Sequence, residues 1–141
     1  MLVLYEQSRG GGAAIDLARE LAEREHAALT VVGIAPQAPS GPRCGNSALE
    51  YNQAVAASVA QDLDEARERL GRASERTNFQ LLIAGAEPSL QQFAQIGGFD
   101  LVLLPARRRP LRGRGGSYHP EASRLRLIAG AEIRLVAPGS R

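Results

Sequence analysis

Lysine is absent: all 17 basic residues of the 141-residue chain are arginine. This excludes Schiff-base chemistry on a lysine amine. It also excludes a P-loop, whose lysine reaches the terminal phosphates. Cys44 is the single cysteine, so neither an intrachain disulfide nor a cysteine metal cluster can form. A reducing cytoplasm is the expected compartment. His26 and His119 lie far apart and carry no metal-ligand spacing, so no metal site is expected. Tryptophan is missing and aromatic residues are 4% of the chain, which leaves few platforms for stacking single-stranded bases. No uncharged apolar run approaches the ~18 residues that a membrane span needs. The start, Met1-Leu2-Val3-Leu4-Tyr5-Glu6, has no basic region and meets an acid too early for a secretory signal.

What is present suits one globular domain with its own core: 44% hydrophobic and 23% charged residues. The net charge of +2 hides two opposed parts. Residues 1–104 carry eight Arg against thirteen acids, a balance of −5; residues 105–141 carry nine Arg against two acids, a balance of +7. The basic part reads either as a solvated loop or as an anion site. Arginine offers phosphate a planar fork of donors.

Met1 to Tyr5 is a short β-favouring run that suits a buried parallel strand. Ala14, Leu17, Ala18, Leu21 and Ala22 place one apolar stripe on a helix, with Glu20 and Arg24 paired on its wet side. Leu29 to Ala35 is strand-like. Pro36 to Ser47 is a loop. Ala48 to Arg76 is helical, with Val55, Val59, Leu63, Ala66 and Leu70 inward and Glu65–Arg69 and Glu68–Arg72 as i,i+4 pairs. Phe79 to Ala84 is a third strand. Pro88 suits the first turn of a helix that Gly97-Gly98 ends. Asp100 to Leu104 is a fourth strand, and Pro105 to Tyr118 a Gly/Arg-rich loop. A last helix from Pro120 turns Ala122, Leu125 and Ala129 inward, and Ile133 to Ala137 is a fifth strand. Strict alternation implies right-handed crossovers: a single α/β domain, a five-stranded parallel sheet with helices on both faces.

In such sheets ligands sit beyond the carboxyl ends of the strands. The loop after strand four opens there with Arg107, Arg108, Arg109, Arg112 and Arg114, then Gly115, Gly116 and Ser117. Glycines free backbone N–H groups for an anion nest, and the next helix adds its positive end.

Several stretches resemble the universal stress protein family. Leu2-Val3-Leu4-Tyr5-Glu6-Gln7-Ser8 is similar to its first strand, which typically ends Asp-Gly-Ser. Ala27 to Val32 resembles the second strand, Phe99 to Leu104 the fourth, and Ala122 to Leu125 with Ile133 to Val136 the last helix and strand. An electron-transfer-flavoprotein-like domain is the alternative. The resemblance implies a Rossmann-like domain that often dimerises through its fifth strand. Many members bind ATP and regulate rather than catalyse. It would make Glu6, Ser8, Arg107, Arg109, Arg114, Gly115, Gly116 and Ser117 the cofactor-binding residues. ATP-binding members carry Gly, two residues, Gly, nine residues, Gly and Ser or Thr after strand four. Here Pro105 and Arg108 replace the leading glycines, and the closing pair falls on Tyr118-His119 or His119-Pro120. Pro105 lacks an N–H. Gly115-Gly116-Ser117 offers a shifted substitute.

The expectation is therefore a homodimeric binding or regulatory protein, without catalytic residues and without standard ATP binding; ATP or another phosphate-bearing ligand is the candidate cofactor. Two alternatives stand beside it. A nucleotide hydrolase would use Glu6 to hold a metal, but no base is apparent. A nucleic-acid binder would use the Arg cluster electrostatically. Single residues have plainer readings as well: Glu6 as a solvated strand-end acid, and Ser117 as a helix cap.

Overall fold

The structure, a computed structural model, describes residues 1–6, 11–36, 47–84, 88–108, 117–118, 122, 125 and 132–136. The elements are β1 (Leu2–Leu4), α1 (Gly11–Glu25), β2 (Leu29–Ala35), α2 (Ser47–Leu70), a 3₁₀ turn (Gly71–Arg76), β3 (Thr77–Ile83), α3 (Leu90–Gly97), β4 (Leu101–Pro105), β5 (Arg107–Arg108), β6 (Ser117–Tyr118) and β7 (Glu132–Val136). Five strands form one parallel sheet in the order β3-β2-β1-β4-β7. Ala122 and Leu125 are helical; the rest of the expected last helix lies outside the described residues, as does Ala137.

Period-two alternation along the strands splits the core in two. Val3, Tyr5, Val31 and Leu103 face α1 and α2, packing with Ala14, Ala18, Leu63, Ala66 and Leu70. Leu2, Leu4, Val32, Val102 and Leu104 face α3 and the last helix, packing with Leu90, Ala94 and Leu125. The edge strand β7 obeys the same rule: Ile133 and Leu135 join the second cluster and Val136 the first. Among the described residues no helix is long and apolar enough to cross a membrane.

Element ends depart from the sequence reading where glycine and capping decide them. The long helix stops at Leu70, because Gly71 takes a φ of 63° and turns the chain into the 3₁₀ segment. Pro88 stays outside α3. Ser89 is the N-cap, accepting from the Gln92 N–H while the Gln92 side chain takes the Ser89 N–H. Gly98, at φ 63°, closes that helix as expected. Glu20 and Arg24 pair at 2.9 Å. The other two expected pairs are replaced: Arg69 reaches across to Asp16 of α1 with two bonds of 2.9 and 2.8 Å, and Glu68 and Arg72 form no ion pair among the described residues. Arg69 closes the α1–α2 contact over Gly12, where a Cβ would stand 2.9 Å from its guanidinium carbon. Glu65, without Arg69, keeps a buried carboxylate oxygen that lacks a hydrogen-bond partner among the described residues.

Candidate functional site

From β1 the chain winds outward to β2 and β3, then returns to β4 and winds the other way to β7. The switch point therefore lies between β1 and β4, and the region beyond their carboxyl ends is where a sheet of this kind forms its ligand crevice. Backbone bonding shows the sheet parting there. The β1–β2 pairing continues past the strand, with Tyr5 N–H donating to Val32 O at 2.8 Å. The β4–β7 pairing continues likewise, with Ala106 N–H donating to Val136 O at 2.8 Å. Between β1 and β4 the register stops at Val3↔Leu103. Pro105 supplies the reason. Successive strand residues bond to opposite sides. Because the Ala106 N–H faces β7, the Pro105 nitrogen faces β1, and it has no hydrogen to donate.

Glu6 follows β1 in this region and is partly exposed. Tyr5 beside it is buried at 7% exposure. Burial pushes its phenol up, with the Glu65 and Asp62 carboxylates adding to the effect and Arg69 opposing it. Tyr5 is thus a neutral group at the site's edge. Burial also raises the Asp62 carboxyl.

The segment after β4 is not a plain loop from Pro105 to Tyr118. Pro105 ends β4, Ala106 is buried, and Arg107–Arg108 pair antiparallel with Ser117–Tyr118. The register sets Arg107 opposite Tyr118 and Arg108 opposite Ser117, so a ribbon ties the two ends of the segment together beside the switch point. This brings Arg107 and Ser117 to one place in the fold. Ser8, Arg109, Arg114, Gly115 and Gly116 lie outside the described residues. Among the described residues no three His, Cys, Asp or Glu side chains are grouped to hold a metal.

Sequence reading missed a second feature, at the opposite end of the sheet. A cavity of about 490 Å³ lies where β2 and β3 begin, with Arg19, His26 and Arg76 on its walls. The one local signal was a histidine, rather than a glycine, where α1 ends: His26 has a φ of 53°.

No family profile matches the sequence, and no curated protein matches it significantly. Solved structures do match in fold. A protein from the universal stress protein family of Burkholderia pseudomallei is 20% identical, with a TM-score of 0.68 over 98% of this chain and 96% of that one. A universal stress protein from Lactobacillus plantarum is 17% identical, with a TM-score of 0.76 over 96% of this chain and 97% of that one. An Arabidopsis thaliana universal stress protein family protein with AMP bound is 10% identical, with a TM-score of 0.53 over 99% of this chain and 93% of that one. The five parallel strands, the switch between β1 and β4 and these end-to-end matches make the protein universal-stress-protein-like in fold.

Proposed function

We propose that the protein is a small cytoplasmic regulatory or binding protein of the universal stress type, in which standard ATP binding has been lost. The observation that carries this reading is Pro105. It ends β4 at the switch point, where the β1–β4 ladder stops two residues earlier. The resemblance places a glycine there, whose backbone would be open to phosphate. Arg108, at the second glycine position, is held in a ladder with Ser117 and is not an open turn. The Arabidopsis thaliana protein of similar fold has AMP bound, which supports a nucleotide as the class of ligand to test. On this reading Arg107, Ser117 and Glu6 would be what is left of a phosphate site. No catalytic step is assigned to them.

β7 lies at one edge of the sheet, and an edge strand is a template for another strand. A second copy pairing antiparallel along Glu132–Val136 would close a two-fold dimer. Calorimetry with ATP and Mg²⁺ tests the ligand reading. Weak binding or none is expected, whereas a Kd below about 1 μM, roughly −8 kcal/mol, refutes it. Steady ATP turnover by the purified protein would replace it with the hydrolase alternative.

A further inference from the structure

The cavity at the amino end of the sheet lies on the face covered by α1 and α2. Its size, about 490 Å³, is that of small-molecule sites. Ala22, Ala28 and Ala73 are among its lining residues and give it an apolar part. Arg19 of α1 and Arg76 of the 3₁₀ turn stand on the walls, and Glu23 is the acid among the lining residues.

The pairing of nearby charges sets these two arginines apart. Arg24 is paired with Glu20 at 2.9 Å, and Arg69 with Asp16 at 2.8 Å. Asp16 is the acid that senses Arg19, yet both its oxygens already accept from Arg69. Among the described residues, Arg19 and Arg76 have no ion pair and no side-chain hydrogen bond. Two unpaired guanidiniums thus line one cavity together with three alanines, in a part of the chain where acids outnumber arginines. Their planar forks match carboxylate and phosphate oxygens.

His26 is the independent second observation. It is the one non-glycine residue with positive φ among the described residues. The Ala27 N–H donates to Ala22 O at 3.0 Å, which closes α1 around His26 in the position glycine normally takes. Gly71 and Gly98 take the same conformation elsewhere in this chain at φ 63°. A histidine here retains local strain that a glycine would not, and His26 is also one of the residues that line the cavity.

We propose that this cavity is a binding site for a small organic oxyanion. Its carboxylate or phosphate head is held between Arg19 and Arg76, its apolar body lies against Ala22, Ala28 and Ala73, and His26 and Glu23 meet polar substituents. The site does not depend on the reading of the strand-four segment, which lies at the other end of the sheet. The test is an amide-shift titration of the ¹⁵N-labelled full chain. Phenyl phosphate and benzoate are the probes; inorganic phosphate and phenol serve as head-only and body-only controls. Saturable shifts are expected at Ala27, Ala28 and Thr77, and the tighter of the two probes identifies the head group. Arg19→Gln and Arg76→Gln should each weaken binding by about tenfold. His26→Gly should weaken binding while raising the melting temperature, a combination that general damage to the fold would not produce. Shifts confined to residues 105–118, no saturable shift below about 10 mM, or unchanged affinity in both arginine variants would overturn the proposal.

Discussion

Replacing Gly33 with alanine probes how closely α2 rides on the sheet. Gly33 sits inside β2, paired with Leu81 of β3. A Cβ there would lie 2.7 Å from Val59 Cγ1 and 3.3 Å from Leu63 Cδ2. Two effects oppose each other. Removing glycine from a strand interior stabilises by roughly 0.5–1 kcal/mol through backbone entropy. Overpacking a close contact costs roughly 1–3 kcal/mol. The distance decides between them, because carbon atoms rest at about 3.5–4.0 Å and the deficit at Val59 is about 1 Å. Valine in a helix has one strongly preferred χ1, so Val59 cannot swing aside, and α2 itself must lift. A net loss of about 1–2 kcal/mol follows. At about 2–4 °C per kcal/mol for a chain of this size, the melting temperature falls by roughly 2–8 °C. Thermal and urea unfolding followed by circular dichroism reads this. Val59→Ala removes the obstructing methyl groups, so the double variant should lose about 1 kcal/mol less than the sum of the two single losses. A Gly33→Ala protein as stable as the parent, or a double variant with no coupling, would refute the close approach.

Arg69's hydrogen bonds hold the Asp16 carboxyl below the usual carboxylate range, so their contribution is complete above about pH 4 and is lost as pH falls through the lowered value. With side chains 51% and 46% exposed, the pair is worth about 0.5 kcal/mol. Asp16→Asn should cost that much at pH 7 and progressively less as pH falls below about 4, and a cost that does not change with pH would count against the pair. Ser89→Ala removes half of the α3 capping box and should cost about 1 kcal/mol by urea unfolding, with Ser89→Asp close to the parent; equal losses in the two variants would show that the cap hydrogen bond is unimportant. Val136 faces β4 through its carbonyl, so the neighbouring Leu135 turns its N–H to the open edge of β7; Leu135→Pro deletes that donor and should weaken the proposed dimer in equilibrium sedimentation. A parent that stays monomeric at about 100 μM, a concentration at which even micromolar association would be complete, ends the dimer proposal.

Local periodicity was enough to read the order of elements in the chain. The stripe Ala14, Leu17, Ala18, Leu21 and Ala22 faces the core because a helix repeats every 3.6 residues, whatever it packs against. Ile133, Leu135 and Val136 divide between the two faces because a strand alternates, and Glu20 meets Arg24 because they are one turn apart. The Arg-rich segment was legible by composition, and its place at the strand-four end followed from the order of elements. Contacts between elements were not legible. Arg69 had an equally good local partner in Glu65, and only the crossing of α1 and α2 gave it Asp16, 53 residues away. Pro105 is an ordinary strand terminator in sequence; it parts the sheet because β1 happens to be its neighbour on the side its nitrogen faces. The cavity was invisible for the same reason. Arg19 and His26 belong to α1 and its end, and they meet Arg76 of the 3₁₀ turn only once β2 and β3 lie side by side beneath the end of α1.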